Sequence, residues 1–119
     1  MKRALVVDDS HSMRRIIART VQLYDELEID EAADGDEAIE LYEPGKYDII
    51  LTDRNMGEKT GVDLIRTVRE QEPDLPIIMV SADAHKSCVI EAIEAGVSDY
   101  LTKPFTSDML KEKLEKWLG

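Results

Sequence analysis

Polar side chains that could act together recur just after short apolar runs. Asp8 and Asp9 follow Ala4-Leu5-Val6-Val7, Asp53 follows Ile49-Ile50-Leu51-Thr52, Ser81 follows Ile77-Ile78-Met79-Val80, and Lys103 follows Tyr100-Leu101-Thr102. If these runs are parallel strands of one sheet, three carboxylates, a hydroxyl and an ammonium emerge at the same carboxyl edge. Such a crevice suits a hard divalent cation and a phosphoryl group. Carboxylates about 5 Å apart repel by roughly 3 kcal/mol per pair at an effective dielectric near 20. One Lys offsets only part of that, so protonation or a bound cation must remove the rest. Mg²⁺ takes oxygen ligands and keeps several waters, so two carboxylates and a backbone carbonyl suffice. A carboxylate beside Mg²⁺ can attack phosphorus and become an aspartyl phosphate. Lys103 and the cation would neutralise the oxygens in transit, and Ser81 could donate to the product phosphoryl group.

The elements that must carry these groups are legible as apolar runs alternating with stretches of helical period, a βαβ pattern repeated five times. Strands are expected at 3–7, 28–32, 47–52, 77–80 and 99–102. The first helix should start with Ser12 as its cap, and Met13, Ile16, Ile17 and Val21 share one face. Asp34-Gly35 marks a turn, Asp36 caps a short helix to Tyr42, and Pro44-Gly45 ends it. A third helix covers 61–71 with Ile65 and Val68 inward. A fourth covers 86–95, burying Val89, Ala92 and Ile93 and closing on Gly96. The last starts near Ser107 with Leu110, Leu114, Trp117 and Leu118 on one stripe. Asp30 and Glu31 suit a sheet edge better than a doubly buried strand. The expected fold is therefore α/β, a flavodoxin-like doubly wound five-stranded parallel sheet of order 2-1-3-4-5 with five helices. Its switch point falls between strands one and three, which carry Asp8, Asp9 and Asp53.

The 119 residues suit one domain, with no linker, repeat or low-complexity tract. A net charge of −11 disfavours binding to nucleic-acid phosphates. The single cysteine, Cys88, permits no internal disulfide and is compatible with a reducing cytoplasm. The apolar run after Met1-Lys2-Arg3 stops at Asp8, too short for a signal peptide or a membrane span. Neither His11, read as a helix-start residue, nor His85 has metal-ligand spacing with Cys88.

Four motifs stand in order: Val6-Val7-Asp8-Asp9-Ser10, Asp53-Arg54-Asn55-Met56 with Gly61, Val80-Ser81-Ala82, and Lys103-Pro104-Phe105. With them the chain resembles, over essentially its full length, receiver domains of two-component response regulators, above all stand-alone chemotaxis-type (CheY-like) members. CheY is itself a standard example of this strand order. The resemblance implies that Asp53 accepts phosphate from a phosphohistidine on a sensor histidine kinase. It implies that Asp9 ligates Mg²⁺ directly alongside Asp53 and the Asn55 backbone carbonyl, and Asp8 chiefly through water. The resemblance further implies that Ser81 and Lys103 contact the phosphoryl oxygens, that Ser81 moves toward them, and that Tyr100 rotates inward behind it. The Lys103-Pro104 bond is expected to be cis. By the same resemblance Asn55 and Asp83 would flank the phosphate and tune attack by water, so self-dephosphorylation is expected. Read without the resemblance, Tyr100 is an edge-strand aromatic and Asp83 a solvated loop acid.

Gly57 stands where the family usually has proline, which should loosen residues 54–60 when metal is absent. Output is expected by protein contact through the fourth helix, fifth strand and fifth helix, where Ile90 and Met109 lie off the inward stripes. The chain should then be a monomeric cytoplasmic switch with no nucleic-acid partner and no membrane insertion, catalysing only its own phosphorylation and dephosphorylation. A phosphorelay intermediate, a small Mg²⁺-dependent phosphatase working through Asp53, and a flavodoxin-like binder are the alternatives.

Overall fold

The computed structural model describes residues 2–24, 26–54, 61–83 and 85–118. Five strands, β1 (Arg3–Val7), β2 (Glu28–Ala32), β3 (Ile49–Thr52), β4 (Ile77–Ser81) and β5 (Asp99–Thr102), alternate with five helices. The helices are α1 (His11–Tyr24), α2 (Gly35–Leu41), α3 (Gly61–Gln71), α4 (Lys86–Ala95) and α5 (Ser107–Leu118). The sheet order is β2-β1-β3-β4-β5 and every pairing is parallel, as expected.

Side-chain alternation along the strands feeds two cores. Leu5, Val7, Ile50, Ile77 and Met79 meet Ala38 of α2, Leu64, Ile65 and Val68 of α3, and Ala92 of α4. Ala4, Val6, Ile49, Leu51, Ile78 and Val80 meet Ile17 and Val21 of α1 and Leu110 and Leu114 of α5, with Trp117 and Leu118 packed beside them. The acids of β2 are tolerated at the edge because each finds a partner. Glu28 and Asp30 pair with Arg3, while Glu31 pairs with Arg14 and Arg15 of α1.

Several expected details differ. Ser10, not Ser12, caps α1, its Oγ accepting the Met13 N–H at 3.3 Å. Asp34, not Asp36, caps α2, accepting the Glu37 N–H at 2.8 Å. In both cases two eligible residues lie within two positions, and the one that precedes the first turn takes the role, Asp34 doing so with an extended backbone. β3 begins at Ile49 rather than 47, and β4 continues through Ser81. Ile16 is 53% exposed and Ile93 60% exposed, and Val89 is only half-buried. α4 buries only the small residues Ala92 and Ala95, in the core it shares with α3 and the sheet, and Ile93 faces outward. Gly96 closes α4 at φ 110°, a left-handed position that favours glycine.

Asp99 staples β5 to α5, accepting from Trp117 Nε1 and Lys113 Nζ, both at 2.9 Å, and from the Tyr100 N–H at 2.8 Å. Burial alone would raise its pKa, but these bonds outweigh burial and hold it below the usual carboxylate value. Its stabilising contribution is therefore complete above the unfolded value of about 3.9 and lost as pH falls through the lower folded value. Asp99→Asn should cost about 1–2 kcal/mol in urea unfolding near neutral pH, and the gap from wild type should close in acid. A gap that persists unchanged into acid would count against the ionised staple.

Candidate functional site

Asp8, Asp53 and Lys103 each sit one residue past the end of a strand, Asp9 two past β1, and Ser81 is the last residue of β4. The Asp8 amide donates to the Ala32 carbonyl at 3.1 Å, the Asp53 amide to the Val7 carbonyl at 2.9 Å, and the Lys103 amide to the Ser81 carbonyl at 2.8 Å. The parallel ladder thus clamps the backbones of three functional residues before their side chains are considered.

Those side chains converge. One oxygen from each of Asp8, Asp9 and Asp53 lies within 4.8 Å of the other two. Asp8 is fully buried, and both its carboxylate oxygens are engaged: Oδ1 accepts the Ser10 N–H and Oδ2 accepts Lys103 Nζ, each at 2.9 Å. Asp9 is exposed. Asp53 is intermediate. Its Oδ1 accepts the Arg54 N–H at 2.7 Å, and its Oδ2 is 3.6 Å from Lys103 Nζ. Burial pushes the Asp53 carboxyl above its ordinary pKa. Lys103 and the Arg54 N–H pull it down, and Asp8 and Asp9 add to the push. The Lys103–Pro104 bond is cis, as the motif implied.

Two supports were not foreseen. Arg14, one turn into α1, donates through Nη1 to the Asp8 carbonyl at 2.8 Å and through Nε to Glu31 at 3.0 Å, joining the site to β2. His11 is the first residue of α1, its Nδ1 3.0 Å from Arg14 Nη2. Gly61, quoted in the motif without a structural reason, opens α3 directly against Asp53. A Cβ there would lie 2.1 Å from the Asp53 carbonyl oxygen, which also accepts Thr52 Oγ1 at 2.9 Å. Only glycine allows that approach. Gly61→Ala must shift α3 or Asp53, costing about 1–3 kcal/mol. Calorimetry should also show weaker Mg²⁺ uptake in this variant, and unchanged stability with unchanged uptake would contradict the close fit.

On the other flank, Ser81 is buried and its Oγ accepts the Asp83 N–H at 3.1 Å. The Asp83 carboxylate serves the start of α4, accepting the His85 N–H at 3.1 Å and the Cys88 thiol at 3.2 Å. Those two bonds, led by the His85 N–H, hold its pKa down, and the same contact with Asp83 raises the Cys88 thiol. The half-buried Tyr100 ring packs on the core, and its hydroxyl donates to the Asp83 carbonyl. Ser81, Asp83 and Tyr100 are therefore one connected unit. Asn55, named for its carbonyl and side chain, and Gly57 in the loop 54–60 lie outside the described residues.

The response regulator receiver domain model matches residues 4–115. The chemotaxis protein CheY of Pseudomonas aeruginosa is 45% identical over 114 residues, which cover 94% of this chain and 92% of the relative. A CheY homolog of Campylobacter jejuni is 45% identical over 118 residues, covering 97% of this chain and 91% of the relative. Among solved structures, chemotaxis protein CheY4 of Vibrio cholerae superposes with a TM-score of 0.89 at 32% identity, covering 98% of each chain. A beryllofluoride-activated DrrB receiver domain shares the fold at a TM-score of 0.91 and 22% identity, over 99% of this chain and 97% of that one.

Proposed function

Because the chain belongs to the response regulator receiver family, we propose that it is a chemotaxis-type switch that a sensor histidine kinase phosphorylates on Asp53 in a Mg²⁺-dependent reaction. The observation carrying this reading is the unequal placement of the carboxylates around Lys103. Asp8 is sealed, with both oxygens bonded, whereas Asp53 retains an oxygen whose Lys103 contact is long, 3.6 Å against 2.9 Å. Asp53 is thus the carboxylate in the cluster that is both positioned and free to attack.

The donor set is all hard oxygen within 4.8 Å, which fits Mg²⁺. Asp9, Asp53 and the Asn55 carbonyl would hold the ion, with Asp8 acting through water. When bound, Mg²⁺ neutralises charge on the carboxylates and on the entering phosphoryl oxygens. A lone pair of the Asp53 carboxylate forms the O–P bond while the P–N bond to the donor histidine breaks, and that electron pair returns to the imidazole. Lys103 Nζ stabilises the oxygens in transit. The Ser81 hydroxyl accepts from Asp83, which leaves its own proton for a phosphoryl oxygen. Movement of Ser81 toward that oxygen would pull on the unit it shares with Asp83 and Tyr100. The Asp83 carboxylate, with Asn55, would set the rate of water attack only after leaving His85 and Cys88.

Ile90, Ile93 and Met109 expose apolar surface on α4 and α5, and this α4–β5–α5 face would meet the downstream protein. The chain then works as a monomer in the cytoplasm, supporting its own modification rather than substrate turnover. No helix among the described residues is long and apolar enough to cross a membrane.

Incubation with acetyl phosphate tests the reading. Intact mass should rise by one phosphoryl group per chain with Mg²⁺ and by none with chelator. Continued hydrolysis of small phosphate esters, without a stable label, would point to a phosphatase instead.

A further inference from the structure

Arg54 follows Asp53 directly, yet the cation bridging the carboxylates is Lys103. The Arg54 guanidinium is turned onto α4, with Nη2 3.3 Å from Glu91 Oε1 and Nη1 3.4 Å from the Cys88 carbonyl oxygen. Its side chain is 16% exposed, whereas that of Glu91 is 49% exposed. A largely desolvated fork is therefore spent on two long contacts, one of them to a solvated acid. An ion pair of that kind contributes little.

α4 is lightly anchored. Its buried residues are Ala92 and Ala95, Ile90 and Ile93 face solvent, and its cap residue His85 makes no side-chain cap bond. Polar tethers hold it from its cap to Glu91: Arg54 on Glu91 and Cys88, the Asp83 carboxylate on the His85 N–H and the Cys88 thiol, and the Tyr100 hydroxyl on the Asp83 carbonyl. A phosphoryl group on Asp53 would bring a charge of about −1.5 to −2 and three acceptor oxygens to the residue whose carboxylate already accepts the Arg54 N–H, and such a group matches a planar guanidinium fork.

We infer that Arg54 exchanges anions, pairing with Glu91 of α4 while Asp53 is unmodified and with the phosphoryl group once Asp53 carries one, so that modification unties α4. The inference rests on Asp53 being the phosphoacceptor. By linkage, whatever holds Arg54 on α4 must weaken the hold on the phosphoryl group by the same factor. Glu91, outside the carboxylate cluster, then becomes a brake on activation, and the residue after the phosphoacceptor becomes a second connection between the site and α4, beside that through Ser81 and Asp83.

The test is a double-mutant cycle. Beryllofluoride, a mimic of the phosphoryl group, is titrated with Mg²⁺ into wild type, Glu91→Gln, Arg54→Met and the double variant, with bound fluorine read by NMR. Glu91→Gln should bind about 2- to 5-fold tighter than wild type. Arg54→Met should bind about 5-fold or more weaker, and adding Glu91→Gln to it should change nothing. Arg54→Lys, a gentler substitution, should keep part of the Glu91 effect, and a folded Arg54→Lys protein with none of it would speak against the exchange. Normal wild-type binding with no gain from Glu91→Gln, or an equal gain in both backgrounds, overturns the exchange and leaves the role of Asp53 standing. Wild type that binds no beryllofluoride overturns the phosphoacceptor reading, and the exchange falls with it.

Discussion

Asp53→Asn is expected to abolish labelling by acetyl phosphate and, at the same time, to raise the melting temperature of the metal-free protein. The carboxamide has the same shape and can still accept the Arg54 N–H, but it carries no charge and no nucleophilic oxygen anion. In the wild type, burial foremost, with help from Asp8 and Asp9, lifts the Asp53 pKa against the pull of Lys103. A folded-state pKa above the unfolded one means that the native protein binds the proton more tightly. The ionised group therefore destabilises the fold near neutral pH, and the penalty shrinks as pH falls through the folded value. Removing the charge should add about 1 kcal/mol, or about 4 °C for a domain of this size. Mg²⁺ should stabilise the wild type more than the variant, since it relieves repulsion that the variant has already lost. A variant that melts lower than wild type, or still takes up phosphate, would contradict the strained cluster.

Lys103→Met should have the opposite effect on stability and a large effect on chemistry. The Asp8 side chain is 1% exposed, and Lys103 Nζ is its cationic partner at 2.9 Å. Without the ammonium, Asp8 retains the Ser10 N–H but has no countercharge, and stripping one partner from a buried pair costs about 3–5 kcal/mol. Labelling should fall by about 10²–10³, the range seen when one fixed stabiliser of transition-state charge is removed. Adding Asp8→Asn to Lys103→Met should restore much of the stability without restoring labelling, because the orphaned charge is gone but the phosphoryl oxygens still lack their ammonium. Urea unfolding of the four proteins measures the cycle. A Lys103→Met protein within about 1 kcal/mol of wild type would show that Asp8 does not depend on Lys103.

Local errors in reading the helices have a common origin. Ser10 and Ser12, or Asp34 and Asp36, are equally eligible caps by residue type, and the choice depends on which one precedes the first turned residue. Ile16 and Ile93 lie on or beside apolar stripes, but a helical period describes direction and not what covers it. The residues that α4 buries are the small Ala92 and Ala95, and Ile93 is left 60% exposed. The tethers of α4 were invisible for another reason. Tyr100 and Asp83 are separated by 17 positions, Arg54 and Glu91 by 37, and no local pattern relates them.

Amino-acid order alone determined the five alternating elements, the parallel sheet with its acidic strand at the edge, and the set Asp8, Asp9, Asp53, Ser81 and Lys103. Periods of two and 3.6 residues are local signals, and a polar group just beyond an apolar run must emerge at a strand end. Tertiary structure alone decided how those groups share one ammonium, with Asp8 sealed and Asp53 left available, and why Gly61 must be bare beside Asp53. It alone turned Arg54 toward α4 and bound Ser81, Asp83 and Tyr100 into one unit. Distances of a few tenths of an ångström and the loss of solvent set those outcomes, and both arise only when remote segments pack against each other.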